Sequence, residues 1–337
     1  MSFKRLETDD FVVSSDSITS TLWSTGVQTL TTFFTSSVQK AGSSGDFYLS
    51  VFESSSLTNN QFDIAYANST GLGGKRYTST VTGKTPTLSS YGQYRSLILE
   101  DETKSFTFGT GDNIVTATDF WAISIERARY KESLFPGSLN LTLSGSGNLK
   151  TIHLTDNSKD VTVNTFIGSS RVFQLISGSS GTCGTLANSG YVSGKGSYGL
   201  VFPELGTILL NTSAISESIH VDATRTADST NGVSAITLFE SINTGLSFQL
   251  NSQETITSDY VFTRARNSEF NYTQNPTFIS GSTGEVIYDN FINNPQTYIT
   301  TVGMYNDTND LLAVAKLSRP LLKDFTKEAL VRVKLDF

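Results

Sequence analysis

Two histidines, a single cysteine and three small clusters of acids are the residues of this chain with the types to shuttle protons, bind a metal or attack a carbonyl. His153 sits in the strand-like TIHLT and His220 in a polar stretch. Neither has a partner at ligand spacing, so a zinc site fails on ligand count and each histidine reads as an ordinary strand or surface residue. Cys183, in Gly181-Thr182-Cys183-Gly184, has no basic neighbour to stabilise a thiolate and reads as a plain free thiol. Glycoside hydrolysis would need two carboxyl groups held roughly 5–10 Å apart across a sugar cleft. The candidates are Asp9-Asp10, Glu100-Asp101-Glu102 and the Asp307/Asp310 pair, and all three fall where turns are expected, as solvated turn acids do. Gly71-Leu72-Gly73-Gly74-Lys75-Arg76 hints at a phosphate loop but lacks the GxxxxGK[ST] spacing and a strand-to-helix context. No catalytic residue, cofactor site or metal site is expected.

The phrase RAR occurs twice, at Arg127–Arg129 and Arg264–Arg266, each time after an aromatic, β-branched run. On a strand, Arg127 and Arg129 would share one face, as would Arg264 and Arg266. Such guanidinium pairs suit bidentate contacts to carboxylates of an adjoining subunit. The competing reading is pairing within the chain, to Glu126, Glu132 or Glu269.

The elements that would position these residues are mostly strands. Only 16% of residues are charged, and Ser and Thr make up roughly a quarter, a composition of sheets joined by polar turns. Long amphipathic helical registers are almost absent. Strands are expected at Phe47–Phe52, Phe62–Ala67, Tyr94–Leu99 and Ser105–Phe108, with a buried central one at Phe120–Ile125. Further short strands follow between Leu139 and Leu210. Asn68–Ser90 reads as a long exposed loop, Ser177–Ser197 as a second Gly/Ser-rich loop and Thr212–Gly232 as a polar linker. The expected fold class is mainly β, with antiparallel, sandwich-like sheets. Boundaries near 133 and 223 give an N-terminal β domain (1–133), an inserted small β domain (134–223) and a C-terminal β region (224–337), the outer two forming one platform.

The formal net charge of −7 and the absence of Lys/Arg runs argue against nucleic acid, and no apolar run approaches the length of a membrane span. The first ten residues contain no apolar signal-peptide core, and one cysteine permits no intrachain disulfide. A protein made in a reducing cytoplasm and used outside the cell after lysis would fit both facts.

At the C-terminal end, Tyr298–Tyr305 and Leu311–Leu317 flank the turn-forming Asn306–Asp310 and predict a hairpin. Val331, Val333, Leu335 and Phe337 then alternate with charged residues, predicting a terminal strand with one apolar face. This ending resembles that of virion structural proteins of contractile-tailed phages, in particular the cyanophage-type relatives of the T-even myoviruses. QFDIAYAN (61–68), ISIERARYKESLFPGSLNLTLS (123–144), SGKGSYGLVFPELGTILLN (193–211) and NSQETITSDYVFTRARNSEFNY (251–272) carry the same resemblance. It implies a non-enzymatic subunit of a baseplate or attached tail structure in the virion. The implied partners are other tail proteins and copies of itself, met through Arg127, Arg129, Arg264, Arg266 and the stripe Val331, Val333, Leu335 and Phe337. The alternative is a tail module that binds a receptor or carbohydrate, which the long polar loops and 13 tyrosines would suit.

Overall fold

The computed structural model describes residues 4–23, 34–38, 48–53, 56–72, 85–145, 150–184, 194–219, 233–272 and 275–336. It is mainly β. The strands are β1 (Phe11–Thr21), β2 (Phe34–Val38), β3 (Tyr48–Glu53), β4 (Ser56–Asn68), β5 (Thr107–Phe108), β6 (Val115–Thr116) and β7 (Asp119–Ile125). There follow β8 (Ser133–Leu134), β9 (Asn140–Ser144), β10 (Thr151–Asp156), β11 (Thr165–Ile167), β12 (Ser170–Ser179), β13 (Thr182–Cys183), β14 (Gly199–Phe202) and β15 (Thr207–Asn211). The last are β16 (Phe248–Gln249), β17 (Asn251–Ala265), β18 (Thr297–Tyr305), β19 (Leu311–Lys323) and β20 (Ala329–Asp336). Three α-helices join them among the described residues: α1 (Pro86–Ile98), α2 (Val233–Gly245) and α3 (Asp289–Asn293).

The chain divides into two compact units, one of Ile18–Glu254 and one of Met1–Ser17 with Thr255–Phe337. The boundaries expected near 133 and 223 both fall inside the larger unit, where β15 pairs directly with β7 from Asn211↔Phe120 to Thr207↔Ser124.

The larger unit is built on one twelve-stranded sheet of order β16-β9-β10-β12-β14-β15-β7-β4-β3-β2, with β11 and β13 added to β12. Its pairings are antiparallel. The central strands are apolar on both faces. On β7, Trp121, Ile123 and Ile125 join one core, while Phe120 and Ala122 join a second on the opposite face; β15 divides Ile208 and Leu210 from Leu209 in the same way. Two-sided burial explains why DFWAISI and TILLN read as nearly continuous apolar runs. The first core also unites strands from opposite ends of the sheet order, because Leu49 and Val51 of β3 share it with Leu141 and Leu143 of β9. The sheet therefore curls on itself. Phe62 of β4 and Phe248 of β16 meet edge to face at 5.3 Å, with Trp23 against both rings.

The second core is covered by α1. Tyr91 and Ile98 enter it at helical spacing, and Tyr91, Phe106 and Phe120 stack with centroids 4.7–5.5 Å apart. This corrects the strand expected at Tyr94–Leu99 and shortens the loop expected to run to Ser90. Pro86 at the first helical turn fixes a helix start, and Thr87, Ser90, Tyr91 and Ile98 form the buried face. That face is half polar, so the apolar periodicity that would have revealed it is absent. Glu100 ends the segment with a left-handed backbone (φ 53°). On α2, Ala235, Leu238 and Ile242 face the first core.

The smaller unit holds β20 antiparallel to β17, from Ser258↔Asp336 to Ala265↔Ala329, with β1 on the other side of β17. The expected hairpin is present: β18 pairs with β19, with shifts in register between Ile299 and Thr301 and between Met304 and Tyr305. Its inward residues Val302, Met304, Ala315 and Leu317 pack on Val261, Val331 and Val333.

Candidate functional site

The terminal strand takes the alternation that its sequence requires. Val331 and Val333 are buried, Leu335 is half-buried in the same cluster, and Leu330, Arg332 and Lys334 are exposed. Phe337, counted with this stripe, lies outside the described residues. On the exposed face, Arg332 and Lys334 stand over the Tyr260 ring at 5.6 and 5.9 Å. Lys334 also pairs with Asp336 at 2.8 Å, and Asp336 accepts the Ser258 hydroxyl at 2.6 Å. These two donors hold the Asp336 carboxyl below its ordinary pKa. β20 ends the strand order of its sheet, so its outer edge has no strand partner among the described residues.

The arginine pairs are arranged differently from the expectation. Arg127–Arg129 form a 3-10 turn after β7 rather than a strand, so no two-guanidinium face exists there. Arg127 caps the turn by donating to the carbonyls of Tyr130 (2.7 Å) and Lys131 (2.6 Å), with its guanidinium 4.5 Å over the Tyr130 ring. The Nε of Arg129 is buried without a hydrogen-bond partner. Arg264 lies on β17 and grips Glu328 through two nitrogens, the Nε contact being 2.7 Å. Arg266 lies one residue beyond the strand, and its backbone N–H donates to Glu269 at 2.8 Å. Glu269 in turn accepts Lys4 Nζ at 3.2 Å. The partner of Arg264 is thus a same-chain acid, but one 64 positions away, which local spacing cannot reveal.

A buried cation that the sequence did not single out sits beside this network. Lys323, the last residue of β19, has its ammonium 3.2 Å from the Asn267 carbonyl and 2.5 Å from Asn271 Oδ1. Burial pulls its pKa down, and Glu269 and Asp324 partly oppose that pull. The charge ties the turn after β17 to the end of the hairpin.

The acidic clusters are occupied in building turns. Asp10 accepts the Glu7 N–H, and Asp101 accepts both the N–H and the hydroxyl of Thr103. Glu100 accepts the N–H and hydroxyl of Ser169, and Asp310 accepts Thr308 and Asn306. Hydrogen bonds to the charged form hold Glu100, Asp101 and Asp310 below their ordinary pKa values, the opposite of what a proton-donating carboxyl needs. Cys183 is exposed on β13, and His153 is exposed on β10 with Nδ1 2.9 Å from Thr142 Oγ1. His220 and Gly73–Arg76 lie outside the described residues. Among the described residues no three His, Cys, Asp or Glu side chains converge on a point.

The smaller unit also carries most of the exposed large hydrophobic side chains among the described residues. Seventeen of the twenty-three large hydrophobic side chains exposed among the described residues belong to it, though it contains under a third of the chain. Several lie on the outward face and ends of the hairpin, such as Tyr298, Tyr305, Leu312 and Val314; Leu312 is 68% exposed. Neither hairpin strand pairs with any other described strand. Single exposed hydrophobics are ordinary on a protein surface; their concentration on one small unit is what distinguishes it here.

Comparison with known protein families, with curated proteins and with solved structures gives no match.

Proposed function

We propose that this chain is a non-enzymatic structural subunit of a virion, contributing to a contractile tail baseplate or an attached tail structure through contacts made by its smaller unit. The observation that carries the reading is the set of exposed apolar side chains on the β18–β19 hairpin, among them Tyr298, Tyr305, Leu312 and Val314, on a two-stranded sheet whose edges pair with no other strand among the described residues. An isolated hairpin is marginal in water, and this one has only its inner face packed. A neighbouring subunit covering the outer face, or adding a strand at an open edge, would complete it. The tail assignment rests on the resemblance of the quoted phrases to contractile-tail virion proteins. Acids committed to turns, and the Arg127 and Arg264 side chains committed to same-chain partners, support a structural role.

Replacing Leu312 and Val314 by Ser tests the surface. The expected result is an unchanged melting temperature for the isolated chain together with loss of incorporation into particles. Normal incorporation of that variant would overturn the reading.

A further inference from the structure

On the larger unit, the strands β16, β9 and β10 present a row of cross-strand polar pairs on the face opposite the core. Leu141, Leu143, Ile152 and Leu154 point into the core. The alternate residues pair across the strands as Asn140↔Gln249, Thr142↔His153 and Ser144↔Thr151. Beside this floor stands the β12–β13 hairpin, whose turn residues Ser180 and Gly181 are both left-handed (φ 51° and 77°). A Cβ at Gly181 would lie 2.7 Å from Gly137 Cα, so the turn needs glycine there. The turn is tied down by two bonds: the Ser180 N–H donates to Asn140 Oδ1 at 2.7 Å and the Gly181 N–H to Thr155 Oγ1 at 2.7 Å. Floor and wall enclose an open groove of about 560 Å³, within the range of small-ligand sites.

The chemistry of the lining is selective. Two side-chain amides, several hydroxyls and one imidazole line it beside Leu141, Leu154 and two glycines, and no Asp, Glu, Lys or Arg does. An ionic ligand would find no counter-charge, and an apolar one would strip water from polar groups without replacing the hydrogen bonds. Several groups are free to exchange partners. Asn140 Nδ2 reaches Ser180 Oγ and Gln249 Oε1 only at 3.4 Å each, long for an amide hydrogen bond. His153 is oriented through Nδ1 by Thr142, which leaves Nε2 for a ligand. Depending on which partner donates in that bond, Nε2 is a donor or an acceptor; a hydroxyl satisfies either.

We infer that this groove is a binding site for a neutral saccharide, with His153, Asn140 and Gln249 contacting its hydroxyls. The site lies entirely within the larger unit and does not depend on the assembly role of the smaller one.

The test is binding of the full-length chain to a panel of uncharged hexose and N-acetylhexosamine oligosaccharides, with charged glycans as controls. His153→Ala and Gln249→Leu are measured beside the wild type, and thermal melts verify folding; both residues lie at the groove surface, not in the core. The expected result is retention of at least one neutral oligosaccharide, weakened about five- to tenfold in each variant, the loss of roughly one hydrogen bond, at unchanged melting temperature. No neutral glycan retained, retention of charged glycans only, or binding indifferent to both substitutions would overturn the inference. Because the assay uses the isolated chain, failure here leaves the tail-subunit reading standing, and failed incorporation into particles leaves the groove standing.

Discussion

Val333→Ala, compared with Leu330→Ala, tests whether the terminal strand is held by one face. Val333 is 6% exposed, pairs with Val261 across β17 and touches the hairpin cluster; Leu330, three positions away, is 63% exposed. Removing two buried methyl groups costs about 1.5 kcal/mol in transfer free energy, and an unfilled void raises this to about 2 kcal/mol. Leu330→Ala removes more carbon but little buried surface, so it should cost at most about 0.5 kcal/mol. Tryptophan fluorescence would miss the difference, because Trp23 and Trp121 both belong to the larger unit. Hydrogen exchange of peptides covering 258–265 and 329–336 reads the smaller unit directly, with the tryptophan signal as an internal control. Val333→Ala should accelerate exchange in both strands of the β17–β20 ladder by about tenfold or more while leaving the fluorescence transition in place. Equal or larger acceleration from Leu330→Ala, or none from Val333→Ala, would refute the one-faced packing.

Trp23→Ala should destabilise the larger unit by about 3–5 kcal/mol, since the ring is buried between Phe62 and Phe248 and its Nε1–H donates to the Phe248 carbonyl at 3.2 Å; urea denaturation followed by circular dichroism measures it. Lys323 gives a pH dependence. Its folded pKa lies below its unfolded value, so the buried ammonium costs most below the folded pKa, and stability rises with pH from there toward about 10.4. Urea midpoints of the wild type should therefore climb through that window relative to Lys323→Met, and parallel pH profiles would contradict the assignment.

Elements governed by a period of two were legible in the sequence. The hairpin, β20 and β7 stand where alternation and turn residues put them, because one buried face, or two, leaves its mark directly on the residue pattern. The helix α1 was not legible: its buried side includes Thr87 and Ser90, and Tyr94 packs against the second core while bonding Ser124, so aromatic residues there imitated a strand. Pro86 after Thr85 was the available signal. The arginine pairs misled for a related reason. Three residues at a strand end do not declare whether the strand continues, and Arg127 instead turns the chain by binding two carbonyls. The Arg264–Glu328 and Lys323–Asn271 contacts join positions dozens of residues apart, and the polar groove draws on β9, β10, β12 and β16 at once. Such sites exist only once the sheet has formed, and a single sequence carries no record of them.

The proposed role is that of a stoichiometric part of a contractile-tailed particle. Quantitative mass spectrometry of tailed particles purified from a culture that produces the chain, with the particles stripped to tails and baseplates, tests this directly. The intact chain is expected in the tail fraction at a fixed copy number per particle; its absence from purified particles, with abundance only in the cell lysate, would contradict the proposed role.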